Sequence, residues 1–564
     1  MTTRRNYKGK TYRAHLLMRS FRDEDGKVKK ETLANLTPLG DEIVAAVKLW
    51  LKGEPVAVGE EFRLASSLPH GHVMAVLAAV EALGLPKLLA GRASRQRSLI
   101  LGLIVQRVID PLSKLATTRA WNATSLAGEL GISDATEDEV YLAMDWLLKR
   151  QGKIEGRLAA RHLSEGSSVM FDLSSTFVEG GACRLAAYGY SRDKKRGKKQ
   201  VNWGVLTDGD GRPISVSVYP GNTKDERTIV ERVTSVRERF GLKEFTVVGD
   251  RGMLTSHKIA QLKNLAGVSW VSALPGESIK PMVVAGAFQA SLFDETDLFE
   301  FTHADYAGER LIACKNPITA ARGRRRRADL LERTVVELDK IKKRVSAGRL
   351  KDAGKIGVSV GRKIDQYKMA KHISCEIKEG AFEYTIDQAS LDLEAALDGV
   401  YVIRTNVPGE KLPTAKAVLA YKRLSRLEQG FRTQKSLELL VRPVHHHLDD
   451  RVRAHFFICT LAYYVQWHMK RAWESITFAD ERKDEDRHPV KPAMPSPEAK
   501  AKASYNRLPG GNQPHSFRTL LRSLATITKG SYYYPANPNM TFPITTEANP
   551  EQARTLNLLK TISL

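Results

Sequence analysis

The chain has 564 residues, with 88 Lys+Arg against 64 Asp+Glu and a net charge of +24. Its 42% hydrophobic and 27% charged residues are those of a globular protein, which excludes wholesale disorder, collagen and a disulfide mini-protein. The excess cation predicts a polyanion partner, nucleic acid by default. The richest apolar run, Phe456 to Met469, is shorter than the roughly 18 residues of a membrane helix and contains Gln466 and His468, so no membrane partner is expected. The N-terminus lacks the apolar core of a secretory signal, and Cys183, Cys314, Cys375 and Cys459 lie far apart. They read as free thiols in a reducing cytoplasm.

Residues 1–60 are expected to contain a β-hairpin, with stretches 11–21 and 27–36 flanking the turn pair Asp25-Gly26. Residues 70–165 read as helical, from apolar positions at three and four in Val73, Val76, Leu77 and Val80 and in Leu99, Leu103 and Val108. Arg95 and Arg97 open one of these helices with cations, against the dipole preference, a hint of phosphate contact. Over 167–275 the period changes. Strands are predicted at 169–177, 201–206, 214–219, 245–248 and 268–274. Helices are predicted after a capping box at Thr223–Glu226, ending at Gly241, and over 256–265. The order β-β-β-α-β-α-β implies a mixed sheet with helices on its faces, an α/β class.

Residues 276–400 break that order with short strands and a long basic helix over 319–348, and read as a β-rich insertion domain. Residues 401–475 return to the core and carry a helix over 414–435, and 476–564 form a C-terminal region with a charged, then Pro/Gly-rich stretch over 480–515.

Three acids have surroundings unlike those of surface acids. Asp172 interrupts the apolar strand Val169–Phe177, although Asp is depleted in strands. Asp250 follows a strand end between Gly249 and Gly252, where α/β sheets gather their sites. Glu428 shares a helical stripe with Tyr421, Leu424, Phe431 and Lys435, and a buried carboxylate there needs an Arg or a metal as partner. Each acid alone reads equally as a structural cap or ion pair. Together, three hard oxygen donors suit Mg²⁺ or Mn²⁺, and two such ions can drive phosphodiester chemistry.

The segments Phe171–Thr176, Tyr188-Gly-Tyr-Ser-Arg-Asp193, Pro220-Gly-Asn-Thr223, Gly249-Asp-Arg-Gly-Met253 and Tyr421 through Glu428 to Lys435 resemble the DDE transposases of bacterial insertion sequences, the branch with a Tyr-Arg-Glu-Lys signature. The resemblance implies a ribonuclease-H-like catalytic domain with an insertion before the glutamate helix. It implies that Asp172, Asp250 and Glu428 are the catalytic residues and hold two Mg²⁺ or Mn²⁺ ions. It further implies that Tyr421 and Lys435 lie near DNA, and Arg432, between Glu428 and Lys435, is expected to contact DNA as well. The partners implied are the element's terminal inverted repeats, target DNA and further copies of the chain in a dimer or larger synaptic complex, in a nucleoid-associated setting. The signature expects Arg at 424 and finds Leu; Arg423 and Arg426 are the candidates to replace it.

Among the remaining basic clusters, Arg324, Arg325, Arg326 and Arg327 are expected to contact DNA, and Lys194–Lys199 is read as either a phosphate grip or a solvated loop. The run His445-His446-His447 is not expected to bind zinc, because adjacent side chains on a regular element diverge.

Overall fold

A computed structural model describes residues 2–7, 10–23, 25–53, 62–223, 229–288, 293, 297–482, 487–491, 493–508, 511–534 and 537–563. The capping box expected at Thr223–Glu226 lies outside these, except for Thr223. The chain forms two compact units: Met1–Leu68 with Thr528–Thr546, and Pro69–Ile527 with Glu547–Leu564.

In the first unit β1 (Thr2–Tyr7), β2 (Lys10–Arg22) and β3 (Val28–Asn35) form an antiparallel meander. The expected hairpin is β2–β3; Gly26 takes φ +74° at its turn, a conformation glycine adopts without strain. A separate strand, β4 (Arg63–Pro69), joins a second sheet built with chain from near the C-terminus.

The second unit centres on an eight-stranded sheet. Its strands are β5 (Ser168–Phe177), β6 (Gln200–Asp208), β7 (Pro213–Pro220), β8 (Phe245–Val248), β9 (Val268–Ala273), β10 (Leu298–Phe301), β11 (Arg310–Lys315) and, beyond the hairpin of β12 (Ile373–Lys378) and β13 (Ala381–Ile386), β14 (Val400–Thr405). The spatial order is β10-β11-β14-β9-β8-β5-β6-β7. β5, β6 and β7 are antiparallel neighbours, and β8 and β9 run parallel to β5. This is a mixed α/β core, with helices Ile229–Phe240 and Ser256–Leu262 between its later strands and Gly241 at φ +75° after the first.

The insertion is narrower than 276–400. β10 and β11 lie inside those bounds yet extend the core sheet through β14. The helix Gly276–Val284 packs against those strands through Ile279 and Met282, and the rest comprises the basic helix Pro317–Ser346, the helix Ala353–Tyr367, the β12–β13 hairpin and the helix Gln388–Ala396. Of the rest, the first three close their own core around Leu338, Ile341, Ile356, Val360 and Phe382. The C-terminal region divides as well: β15 (Thr528–Tyr534), which contains the Tyr532–Tyr534 run, and β16 (Asn537–Thr545) pair in the order β16-β15-β4 and belong to the first unit.

The apolar run 456–469 lies within the helix Asp449–Ala472, which is buried from Val452 to Val465 apart from Arg453 and packs against β7 and the helices Arg95–Ile109 and Glu137–Leu148. Among the described residues no helix is long and apolar enough to cross a membrane. The cations that open the helix Arg95–Ile109 have protein partners: Arg95 donates to Asp134 at 2.8 Å and to Glu139 at 3.2 Å, and Arg97 to the Ala90 carbonyl at 3.1 Å. The hint of phosphate contact there is thereby corrected.

Burial pushes the His72 and His162 rings down to about 4, His162 with help from Arg212. Both are neutral in the fold, whereas the unfolded chain protonates them below their ordinary value of about 6.5. Their contribution is therefore full above about pH 6.5 and lost as pH falls toward about 4. Urea midpoints measured from pH 7 to pH 5 should decline, and His162→Gln should make the decline shallower.

Candidate active site

Asp172 sits in the middle of β5, opposite Val205 of β6. β5 and β8 are in parallel register with Met170 beside Val248, and Asp250 follows Val248 by two residues, just beyond the carboxyl end of β8. Asp250 is solvent-exposed. Its Oδ1 accepts the Met253 N–H at 2.8 Å, so the carboxylate closes the turn that leads to the next helix. Asp172 is half-buried, and its Oδ1 accepts the Leu173 N–H at 2.7 Å.

The helical stretch expected over 414–435 is two helices, Thr414–Lys422 and Leu424–Lys435, joined at Arg423. The interruption separates Tyr421 from the stripe that carries Leu424, Glu428, Phe431 and Lys435. The buried face of the second helix is Leu427, Gly430, Phe431, Thr433 and Gln434. Glu428 is exposed. The expectation of a carboxylate on a buried apolar stripe is corrected: this acid has no burial penalty to offset. The helix packs against β5. Its Phe431 ring lies edge-on to Trp203 of β6 at 4.9 Å, and the Trp203 indole N–H donates to Thr176 of β5 at 2.9 Å. At Gly430 a Cβ would approach the Tyr463 hydroxyl to 3.0 Å, so the missing side chain lets the helix lie close to the buried one.

Tyr421 connects two of the acids. Its phenol is pushed up to about 12, first by burial and then by the negative charges of Asp250 and Glu428, against Arg251. Asp250, Glu428 and Tyr421 therefore share one electrostatic neighbourhood, and Asp172 lies on the strand that adjoins both β8 and the glutamate helix. The donors are hard carboxylate oxygens, which fit Mg²⁺ or Mn²⁺ and not a soft-ligand metal. Among the described residues no three His, Cys, Asp or Glu side chains are drawn together as a closed metal cluster.

Of the two candidates for the missing signature arginine, Arg426 donates to Asp210 at 2.6 Å and to the Gly209 carbonyl at 3.2 Å. It fixes the glutamate helix to the β6–β7 turn. Arg432 is exposed, as are Arg324, Arg325 and Arg326 on the basic helix. Arg327 is different: it is buried and donates to both Asp398 oxygens at 3.0 and 2.6 Å. It is corrected from a DNA contact to an ion pair that ties the basic helix down.

Lys435 is also engaged. Its ammonium lies 2.8 Å from Asp193, which is 3% exposed and is shared with Arg442 at 2.6 Å. Burial lowers the Lys435 pKa, and Asp193 opposes that shift. Asp193 closes the Tyr188–Asp193 segment, which is further held by hydrogen bonds: the Arg192 N–H donates to Ser175 of β5 at 2.8 Å, and the Gln200 amide to the carbonyls of Tyr190 at 3.0 Å and Gly221 at 2.9 Å. Asn202 similarly holds the Thr223 carbonyl at 2.7 Å. These bracing residues carry no sequence signal beyond their membership of, or position between, the motifs.

The closeness demands glycine at two motif positions. A Cβ on Gly189 would lie 2.2 Å from the Gly221 carbonyl oxygen, and one on Gly221 would lie 1.9 Å from that of Gln200. Both obstacles are backbone. Gly221→Ala should lower stability by about 3 kcal/mol, read as a depressed Tm, whereas Gly181→Ala, where a Cβ meets nothing within 4 Å, should not.

The transposase DDE domain family matches residues 169–465. This is more than half of the 564 residues, and the chain belongs to that family. Residues 1–60 match the N-terminal domain of IS1634 family transposases, so the chain is a DDE transposase of the insertion-sequence kind. No curated protein matches it. Among solved structures it is similar to a piggyBac transposase synaptic complex with hairpin DNA, at 8% identity and a TM-score of 0.32, over 80% of this chain and 77% of that one.

Proposed function

We propose that this transposase cuts the ends of its own element and joins them to target DNA at one centre formed by Asp172, Asp250 and Glu428. The observation that carries this reading is the placement of the acids in a member of the DDE family: Asp172 on β5, Asp250 just beyond the end of its parallel neighbour β8, and Glu428 on the helix that packs against β5. The three carboxylates would hold two divalent ions, Mg²⁺ or Mn²⁺, which supply charge neutralisation for phosphodiester displacement. Asp172 sits on β5 and Asp250 in the turn just beyond the end of the adjoining β8, and the glutamate helix is held against the sheet by Phe431 on Trp203. Tyr421 and Arg432 would face the DNA strand near the acids.

In the first step water attacks phosphorus in line, the P–O3′ bond breaks, and the element end keeps a 3′-hydroxyl. In the second, that hydroxyl attacks a target phosphodiester, and a target 3′-oxygen leaves with a proton. Both steps are the same displacement with different nucleophiles, so one centre suffices. Assembly of at least two copies on DNA would bring two ends to one target. Incubating the protein with DNA spanning an element end, with Mg²⁺ or with EDTA, tests the reading. Metal-dependent cuts at the element boundary are expected, and random or metal-independent cutting would overturn it.

The exposed arginines of the side domain would extend the DNA contact. Replacing Arg324, Arg325 and Arg326 with Gln should flatten the log–log salt dependence of DNA binding by up to about three, roughly one per phosphate contact. An unchanged slope would make this a solvated face. Arg327→Gln should instead unfold the side domain at lower temperature, because it leaves Asp398 with reduced partnership.

A further inference from the structure

Away from the three acids, the segment that follows the glutamate helix closes a cavity of about 220 Å³ against the helices Arg95–Ile109 and Lys114–Ala120. Its polar lining includes Arg107, Lys114, Arg442, His445, His446 and His455, against one carboxylate, Glu137. Glu137 accepts the Tyr141 hydroxyl at 3.0 Å. Arg107 is 5% exposed and Lys114 4%.

Among the described residues the two buried cations, Arg107 and Lys114, lack a counter-charge. Arg107 donates to the carbonyls of Leu112 at 3.2 Å and of Leu439 and Leu440 at 3.4 Å. Carbonyls solvate a guanidinium without neutralising it, and Arg does not deprotonate in proteins. Lys114 lies 3.4 Å from His455 Nδ1. His455 Nε2 lies 3.0 Å from the Val441 carbonyl, which can only accept, so Nε2 carries the proton and Nδ1 offers Lys114 a lone pair. Burial holds His455 neutral. Lys114 thus has one acceptor for three N–H donors, and among the described residues neither it nor Arg107 has a carboxylate within ion-pair distance. Burial and the Arg107 charge push the Lys114 pKa down to about 7, the cost of like charges sharing a buried site.

Two unbalanced cations facing a polar cavity define an anion site, because an unpaired buried charge is among the most expensive features a fold can hold. A water takes about 30 Å³ of liquid volume, so the cavity has room for a tetrahedral oxyanion with some hydration. We propose that this cavity binds a phosphoryl group, held by Lys114 and Arg442 with Arg107 behind them. The group comes either from a DNA backbone phosphate or from free phosphate. Arg442 also donates to Asp193, the partner of Lys435 at the end of the glutamate helix. A phosphoryl group at Arg442 would therefore bear on the brace of that helix. The site does not depend on the roles of Asp172, Asp250 and Glu428.

The test uses the full chain and inorganic phosphate. At pH 7 and matched ionic strength, phosphate should raise Tm over chloride by on the order of 2 °C. Lys114→Met keeps the stem and removes the charge; it should melt in chloride no lower than the parent and lose the phosphate-specific rise. Phosphate acting no better than chloride, or a rise retained in Lys114→Met, would overturn the site. Calorimetric titration of the parent with phosphate needs no variant: one saturable site is expected, and no saturation would overturn it. Repeating the titration on the DNA complex separates the sources. A DNA phosphate in the cavity blocks free phosphate, and a free-phosphate site leaves its stoichiometry unchanged.

Discussion

Asp250→Asn and Glu428→Ala are each expected to slow element-end cleavage by on the order of 10³ while leaving DNA affinity within a few-fold of the parent. The Asn substitution keeps an oxygen able to accept the Met253 N–H, so the turn survives and the charge alone is lost. Glu428 is exposed on a helix seated by Leu427 and Phe431, so its removal should not loosen the packing. Both acids bear on Tyr421, and removing either lowers the local negative charge. Metal-free stability should therefore hold or rise slightly. Asp172→Ala should be equally inactive. Cleavage gels and equilibrium DNA binding on the same preparations check this. Inactivity accompanied by general unfolding in all three variants would make the acids structural.

The largest stability effect is expected at Asp193. It is 3% exposed and serves Lys435 and Arg442 at once. Asp193→Asn leaves two cations around a neutral amide, and breaking such a buried set from one side costs about 3–5 kcal/mol. Lys435→Met should be far milder, because Asp193 keeps Arg442 and a buried ammonium is replaced by an apolar stem. The two variants should differ in Tm by several degrees, with Asp193→Asn the lower. Equal melting would mean that the ion set contributes no net stability. Lys435→Met also reports on function: if the brace positions the glutamate helix, cleavage falls although DNA affinity at matched salt does not.

The order β5 to β9 was legible because each strand is a short apolar run bounded by turn residues and each connection is local. The extension through β14, β11 and β10 was not, since pairing such as Ile403 with Ala273 spans chain that local patterns do not connect. Asp172 and Asp250 stood out because an acid inside or just after an apolar strand is anomalous. Glu428 belongs to the edge of its helix and not to the apolar face: that face is centred on Leu427, Phe431 and Gln434, about one residue away from the stripe that periodicity predicts, and at that offset the acid reaches the surface. Arg327 could not be told from its neighbours Arg324–Arg326, because its partner Asp398 lies 71 residues away. Asp193 carried no sign of its role for the same reason, standing 242 residues from Lys435.

Joining tests the central claim most directly. A duplex carrying a pre-cut element end with a free 3′-hydroxyl is incubated with plasmid, Mg²⁺ and either the parent or Asp250→Asn. A covalent end–plasmid product is expected from the parent and not from the variant. Water cannot make that product, so it reports the 3′-hydroxyl acting as nucleophile. Equal joining by Asp250→Asn, or a parent that hydrolyses DNA and never joins it, would contradict a single carboxylate centre for both steps.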